Sequence, residues 1–332
     1  MPSTPTNPTT AARMGGTLIP AGTIGYETTV PRALVHRTAV SEVFLTGWRR
    51  TGGDSFLCAA QWPRGHSLYG AEDGTFDPLI IVESTRQAGI LLAHVGYEVP
   101  LGHSFLMQRL SWRSTAPVIH DAGPAELLIH VEIKEIRRRA RGVDGMEVHA
   151  EFTLGGRLFA QSVGWLRCVA PGVYPRVRWG GARMRSVGPP PHVTGEQPGM
   201  VGRELARDVV VGRPDRDGVR RLRVPLGHPV LFDHPLDHVP GMLAFEAMRQ
   251  AAVARLGNDA VLPVSGDAEF PRFLEIDEEC LIDARTVAAA EPGLAPSRVE
   301  LTLAQGGVTA IRGWLELAPR AVVRERGSLE TV

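Results

Sequence analysis

A carboxylate and a guanidinium recur three residues apart in two stretches of the chain, and this pair has the residue types that chemistry requires. The first pair is Glu83 and Arg86, within DPLIIVESTRQAGILLAHVG, and the second is Glu246 and Arg249, within VPGMLAFEAMRQAAVARL. A spacing of i to i+3 places both side chains on one face of a helix. Such a pair can supply a general acid or base beside a group that binds anions.

Both stretches are apolar around most of the helical circumference, which predicts two buried helices. The first is expected to have Asp77 as its N-cap and Pro78 as its first residue, and to end before Gly96. The second is expected over Gly241–Leu256, with Gly257 just past its end.

Charged groups on buried helices must be paired or used, because unpaired burial of a charge is strongly unfavourable. We interpret Glu246 and Arg249 as functional rather than as a structural ion pair. For Glu83 and Arg86 the two interpretations stay nearly balanced, since a duplicated fold often keeps one working cleft.

The start of the second helix offers further candidates for substrate binding. The free N–H groups near Gly241 and Met242 carry partial positive charge, which suits a thioester carbonyl and an oxyanion. The preceding loop, FDHPLDH, adds three candidates, which are His234, Asp237 and His238.

Two neighbours of these loop residues have other interpretations. Asp233 is interpreted as a residue that caps the helix and satisfies the backbone of the loop. His228 precedes it with a spacing found in some acyltransferase motifs, but its role stays open. The histidines and aspartates of the loop could also ligate a metal, although we predict that none is bound.

The plan of the first half returns in the second. VHRTAVSEVF at 35–44 matches VGRELARDVV at 201–210, Gly65-His66 matches Gly227-His228, and Gly164-Trp165-Leu166 matches Gly313-Trp314-Leu315. Matches in one order along the chain indicate internal duplication.

Strands are predicted around each helix, so the fold class is α+β. In the first half they cover 56–62, 104–112, 126–138, 147–154 and 158–169. A sheet wrapped around a central helix is a hotdog fold, and two such units predict a double hotdog that forms a pseudo-dimer. The expected divisions are a flexible segment (1–29), the first unit (30–170), a linker rich in Pro, Gly and Arg (171–200), the second unit (201–318) and a tail (319–332).

Composition excludes several classes of protein. The net charge of the 332 residues is zero, which argues against nucleic acid as a partner. No apolar run could span a bilayer and the start lacks the plan of a signal peptide, so no membrane association and a cytoplasmic location are expected. The three cysteines have no metal-ligand spacing, and dinucleotide-binding, Walker and serine-elbow motifs are absent.

Three stretches together resemble the A-factor biosynthesis (AfsA-type) γ-butyrolactone synthase family. They are FDHPLDHVPGMLAFEAMRQAA, VHRTAVSEVFLTGWRR and QWPRGH. The resemblance implies two hotdog repeats and transfer of a β-ketoacyl chain from acyl carrier protein to the hydroxyl of dihydroxyacetone phosphate. The resulting ester leads to signalling molecules that control antibiotic production. The resemblance also implies that the active-site residues are Glu83, Arg86, Glu246 and Arg249.

On this basis Glu246 is expected to act as the general base on the acceptor hydroxyl. Arg249 is expected to bind the phosphate or the β-keto oxygen, and the helix start near Gly241 is expected to stabilise the oxyanion. No cofactor is needed. The chain is expected to act as a monomeric pseudo-dimer or as a homodimer.

Two alternatives remain open. One is another hotdog enzyme acting on acyl carrier protein, a thioesterase or a 3-hydroxyacyl dehydratase. Phe232 at the position of the dehydratase histidine argues against dehydration. The other is a non-catalytic regulator that binds acyl chains or butyrolactones.

Overall fold

One continuous antiparallel sheet surrounds the two predicted helices, and both helices are buried. The computed structural model describes residues 13–14, 17–18, 24–70, 74–115, 123–139, 142–181, 186–287 and 296–320. Most of the segment 1–29 and of the tail 319–332 therefore lies outside the described residues. The predicted double hotdog is confirmed.

The described part of the first unit contains six strands and one long helix, and two short strands precede it. In chain order they are β1 (Arg13–Met14), β2 (Thr17–Leu18), β3 (Leu45–Gly52), β4 (Ser55–Trp62), α1 (Leu79–Tyr97), β5 (Ser104–Ser114), β6 (Ala125–Arg139), β7 (Gly142–Leu154) and β8 (Arg157–Val169). β1 and β2 form a separate two-stranded ribbon.

The second unit repeats this plan with a shorter sheet. Its elements, with the short helix that precedes them, are α2 (Tyr174–Trp179), β9 (Arg220–Arg221), α3 (Gly241–Leu256), β10 (Val261–Glu269), β11 (Cys280–Val287), β12 (Ser297–Gln305) and β13 (Val308–Pro319). The two residues of β9 stand where the first unit has the eight-residue strand β4, since β4 pairs with β6 and β9 pairs with β11, and each partner is the second strand after the helix of its unit.

The two units share one sheet because β5 pairs with β10. The strand order is β3-β4-β6-β7-β8-β5-β10-β13-β12-β11-β9, and Ser265 to Glu269 pair antiparallel with Arg113 to Arg109. Antiparallel pairing of the two units along their edge strands leaves neither strand exposed, which stabilises the pseudo-dimer. The buried core runs without interruption through both units.

The helix α3 has the predicted bounds, but α1 does not end as predicted. The chain continues in helical conformation through Gly96 to Tyr97, and Glu98 takes the left-handed conformation with φ 57°. A Cβ at position 96 would lie 2.9 Å from the ring of Phe56. Gly96 is therefore required by close packing inside the helix, not by a turn beyond it.

The start of α1 differs slightly from the prediction as well. The helix begins at Leu79, and Pro78 occupies the N-cap position. Asp77 still stabilises the first turn, because its Oδ1 accepts a hydrogen bond of 3.0 Å from the N–H of Leu79.

The predicted linker packs against the second unit. Arg178 of α2 is buried and donates hydrogen bonds to the carboxylate of Glu275 and to the carbonyl of Asp237. Further along, Gly195 forms a β-bridge with Gly212. This segment thus contacts the second unit at two places, and the domain boundaries assigned from the sequence stay a prediction.

Candidate active site between the two units

The carboxylate of Glu83 lies at the centre of a buried cluster. Its side chain is 1% exposed, and it accepts hydrogen bonds from Arg37, Arg86 and Gln87 at 2.7 to 3.0 Å. Burial alone would raise the pKa of Glu83, but the guanidinium groups of Arg37 and Arg86 lower it to about 2. Glu83 is therefore ionised and held in place by charge-assisted hydrogen bonds.

The second unit contains the same cluster around Glu246. This carboxylate accepts hydrogen bonds from Arg203, Arg249 and Gln250. Burial opposes its ionisation, but the guanidinium groups of Arg203 and Arg249 hold the pKa of Glu246 far below its usual range. The duplicated sequence thus builds two equivalent ion clusters, one on each buried helix.

Each cluster is completed by the loop of the other unit. Nη1 of Arg37 donates to the carbonyl oxygen of Val230 at 3.2 Å, and Nη1 of Arg203 donates to that of Leu68 at 2.6 Å. The carboxylate of Asp233 accepts the backbone N–H groups of Thr38 and Ala39. The clusters therefore connect the two units as well as the elements within each.

The histidines at equivalent positions of the two loops have structural roles. His228 Nδ1 accepts the N–H groups of Val230 and Leu231, and its Nε2 lies 3.1 Å from Asp208. His66 makes the same set of contacts in the first unit. His228 therefore pairs with Asp208 rather than with Asp233, and both histidines fix the loops that close the clusters.

The two clusters differ in their access to a cavity. A cavity of about 1120 Å³ lies between the units, and Arg86 is part of its wall. The cavity beside the Glu246 cluster measures about 70 Å³. Neither Glu246 nor Arg249 lines either of these two cavities, although Arg203 of the same cluster lines the smaller one.

The contacts of the two arginines explain this difference. All three nitrogens of Arg249 are engaged, by Glu246 and by the backbone carbonyls of Val201 and Gly202. Arg86 uses Nε and Nη2, whereas its Nη1 has no hydrogen-bond partner within the described part of the chain. Arg86 therefore keeps one donor for a ligand, and its side chain is 20% exposed.

The second unit supplies the opposite wall of the large cavity. Gly241, Met242, His234 and His238 all line it. The first turn of α3 follows Pro240 and, among the described residues, has no side-chain cap. Its N–H groups are therefore available to a ligand, and the helix dipole places partial positive charge there.

The loop residues before α3 form two pairs of aspartate and histidine. Nδ1 of His234 lies 3.4 Å from Oδ2 of Asp233, and Nδ1 of His238 lies 2.6 Å from Oδ1 of Asp237. Burial opposes ionisation of Asp237, but its hydrogen bonds to His238 and Tyr174 lower its pKa. Asp237 itself does not line the cavity, so it positions His238 rather than facing a ligand.

Among the described residues, no group of three or more His, Cys, Asp or Glu side chains has the arrangement of a metal site. The histidines of the loop are instead paired one to one with neighbouring carboxylates.

Comparison with known proteins identifies the family. The family described as A-factor biosynthesis hotdog domain (AfsA) matches residues 23–170 and 186–319, that is, both units. The chain belongs to this family. The AfsA relatives include proteins named 2-oxo-3-(phosphooxy)propyl 3-oxoalkanoate synthase. The relative from Streptomyces virginiae is 43% identical over 82% of this chain and 92% of its own length.

Two further AfsA relatives of the same name are more distant. The protein of Streptomyces coelicolor is 37% identical over 81% of this chain and 86% of its own length. The protein of Streptomyces griseus is 35% identical over 80% of this chain and 88% of its own length.

Sequence reasoning missed three residues of the site. Arg37 and Arg203 complete the ion clusters, and His36 lines the large cavity. The signal for the arginines was present, because both occupy matching positions in VHRTAVSEVF and VGRELARDVV. A buried carboxylate on each helix requires more than one positive partner, and a matched arginine in each repeat is the natural candidate.

Proposed function

We propose that this chain is an acyltransferase that joins a 3-oxoacyl group to the free hydroxyl of dihydroxyacetone phosphate. The names of its AfsA relatives describe the product of such a reaction, an ester between a 3-oxoalkanoate and a phosphorylated three-carbon ketone. We also propose that the acyl donor is a thioester of acyl carrier protein. The ester would serve as the precursor of a γ-butyrolactone, furan or butenolide signal.

The reaction takes place, in this proposal, in the large cavity between the two units. The observation that carries it is the unengaged Nη1 of Arg86 in the wall of a cavity of about 1120 Å³. A guanidinium with a free donor suits a phosphate or a β-keto oxygen. Glu83 orients Arg86 through Nε and Nη2 and leaves the third nitrogen directed to the ligand.

The thioester carbonyl is placed at the start of α3. N–H groups near Gly241 and Met242 would stabilise the oxyanion that forms when the hydroxyl attacks. His234 and His238 lie on the same side of the cavity and would contact the substrates. Transfer of this kind needs no cofactor and no covalent acyl-enzyme.

The first-unit cleft is assigned as the working one. The role of Glu246 as general base stays a prediction, and its geometry is unfavourable, because five donors surround its two oxygens and its side chain is 1% exposed. Arg249 has no free donor nitrogen either, because all three of its side-chain nitrogens already donate hydrogen bonds. We propose that the second cluster maintains the fold of the pseudo-dimer.

A single chain completes the cavity, since Arg86 comes from the first unit and Gly241 from the second. We therefore propose that one chain is sufficient for activity. Within the described residues no helix is both long and apolar enough to cross a bilayer. A cytoplasmic location stays a prediction.

The proposal is tested by mass spectrometry of the products. Wild type is incubated with a 3-oxoacyl pantetheine thioester, with and without dihydroxyacetone phosphate, beside Arg86→Gln and the matched variant Arg249→Gln. We expect the phosphate-containing ester from wild type. Loss of one hydrogen bond to a charged group corresponds to about 10- to 150-fold in kcat/KM, which is the loss expected for Arg86→Gln.

Arg249→Gln should keep the wild-type kcat/KM per folded molecule. The reverse pattern would place the reaction in the second cleft. Thiol release that does not depend on the phosphate would indicate a thioesterase instead. Ligand binding without turnover would indicate a regulator.

A further inference from the structure

His36 has a backbone conformation that histidine rarely adopts. Its φ is 52°, in the left-handed region, and among the described residues only Glu98 shares this property without being glycine. The conformation is unfavourable for an L-residue relative to its usual regions. In the second unit the equivalent position is Gly202, with φ 63°. A histidine thus stands where the fold favours glycine, and such exceptions cluster at functional sites.

The histidine also changes the neighbouring cluster. At position 202 a Cβ would lie 3.2 Å from Nη1 of Arg249, and that Nη1 donates to the carbonyl of Gly202. At position 36 the Cβ is present, and Arg86 does not make the corresponding bond to the carbonyl of His36. The residue at this position therefore differs between the two clefts together with the engagement of the arginine Nη1.

The ring of His36 is held by two aromatic neighbours and lines the cavity. Its centroid lies 5.2 Å from that of His94 and 5.1 Å from that of Phe105, the latter with edge-to-face geometry. Arg86 and His234 line the same cavity. A ring fixed in this way has a defined direction toward a ligand.

The hydrogen bonds of His94 fix the protonation of His36. Nδ1 of His94 lies 2.6 Å from the carbonyl oxygen of Val99, and a carbonyl only accepts, so this nitrogen carries the proton. In the neutral ring Nε2 of His94 is then an acceptor. It lies 3.1 Å from Nε2 of His36, which must donate. The lone pair of His36 is therefore on Nδ1, for which the described residues provide no partner.

We propose that His36 is the general base of the acyl transfer, with Nδ1 accepting the proton of the attacking hydroxyl. This inference rests on the proposed function. As the hydroxyl oxygen bonds to the thioester carbonyl carbon, its proton passes to Nδ1 and the oxyanion forms at the start of α3. When the carbon–sulfur bond breaks, the leaving thiolate takes that proton. The products are the ester and the free thiol, and His36 returns to its neutral form.

The electrostatic surroundings keep His36 in the neutral form that a base requires. Burial, followed by the proximity of His94 and of Arg86, lowers the pKa of His36 to about 4. The imidazole is therefore neutral at physiological pH and has the basicity of an ordinary carboxylate. Glu83 is a weaker base, since its pKa is about 2 and its oxygens accept hydrogen bonds from two arginines.

The experiment uses the full chain and removes the imidazole in ways that the backbone tolerates. His36→Gly supplies the residue that the second unit has at this position, and His36→Asn keeps a side chain that accepts left-handed conformations. Loss of a general base corresponds to about 10²- to 10⁴-fold in rate. We expect both variants to lose kcat by that factor at an unchanged or higher melting temperature. His130→Ala, on the exposed face of β6, is the control and should match wild type.

Added imidazole gives a second readout. It should restore part of the rate of His36→Gly, because the vacated space lies at the cavity wall, and should not affect wild type. Retention of more than about 1% of the wild-type kcat by His36→Gly would overturn the assignment, because the lower bound of the general-base range is a loss of about 100-fold. So would a loss in His234→Ala greater than that in His36→Gly, since His234 would then be the base.

Nitrogen-15 NMR of histidine-labelled protein tests the tautomer directly, with His36→Gly to assign the signal. We expect Nε2 of His36 to be protonated and Nδ1 unprotonated at neutral pH, and the opposite tautomer would overturn the assignment of Nδ1 as the proton acceptor. Inactivity of wild type toward every 3-oxoacyl thioester would overturn the proposed function together with the base. An active wild type beside an active His36→Gly would overturn the base alone.

Discussion

Replacing Glu83 by glutamine would leave the buried guanidinium groups of Arg37 and Arg86 without their counter-charge. The amide resembles the protonated acid in shape and charge, so the energetic effect follows from the lowered pKa of the carboxyl. That pKa falls from 4.5 to about 2, and each unit corresponds to about 1.4 kcal/mol. We expect Glu83→Gln to lower the free energy of unfolding at pH 7 by about 3 kcal/mol.

This difference should depend on pH in a defined direction. Because the folded pKa of Glu83 lies below the unfolded one, its contribution is complete above pH 4.5 and is lost as the pH falls toward 2. We expect the difference between wild type and variant to shrink from about 3 kcal/mol at pH 7 to about 1 kcal/mol at pH 3.

Urea denaturation followed by tryptophan fluorescence measures both quantities, and the chain contains six tryptophans. The matched control is Glu132→Gln, whose side chain is 51% exposed and pairs with Lys134 on the surface. We expect the control to differ from wild type by less than about 0.5 kcal/mol. A Glu83→Gln protein as stable as the control, or a difference that does not change between pH 7 and pH 3, would refute the reasoning.

Three further changes have outcomes that the packing determines. Gly313→Ala would place a Cβ 2.1 Å from the carbonyl oxygen of Asp267, so we expect little folded protein by circular dichroism, whereas Gly172→Ala, which has open space, should fold normally. Gly202→Ala places an L-residue in the left-handed region and should lower the free energy of unfolding by about 1–2 kcal/mol, which appears as a lower urea midpoint. An unchanged midpoint would contradict this. Burial raises the pKa of all three cysteine thiols to about 12. They should react with a thiol reagent at pH 8 only after unfolding, and reaction in the native state would contradict their burial. These cysteines are Cys58, Cys168 and Cys280.

The fold could be predicted because its central helices are apolar all round and because the chain repeats its plan. The bounds of α3 follow from two glycines. Gly241 marks the start of the helix, and Gly257 takes the left-handed conformation just past its end. The end of α1 could not be predicted in this way. Gly96 has the residue type of a helix end, but its function is to allow the close approach of Phe56, a partner that is distant in sequence.

The site was predictable only as a set of residue types. The pairs Glu83–Arg86 and Glu246–Arg249 are both buried ion pairs, and the sequence favoured the second as the functional one. The difference between the two clefts depends on tertiary contacts. Arg203 makes an ion pair with Asp77 of the other unit, whereas on the opposite side of the pseudo-dimer a cavity remains beside Arg86. The exchange of histidine for glycine between positions 36 and 202 is visible in the sequence, but the contacts of the two residues are not.

The contrast between His36 and Gly202 has a genetic consequence. In a dimer of identical chains, every codon change appears in both clefts at once, so a histidine introduced in one cleft would also replace the glycine of the other. Joining the two units in one gene gives each cleft its own codons. One cleft can then accumulate the groups for a reaction while its sister keeps the contacts that hold the shared sheet together, and selection acts on the two separately.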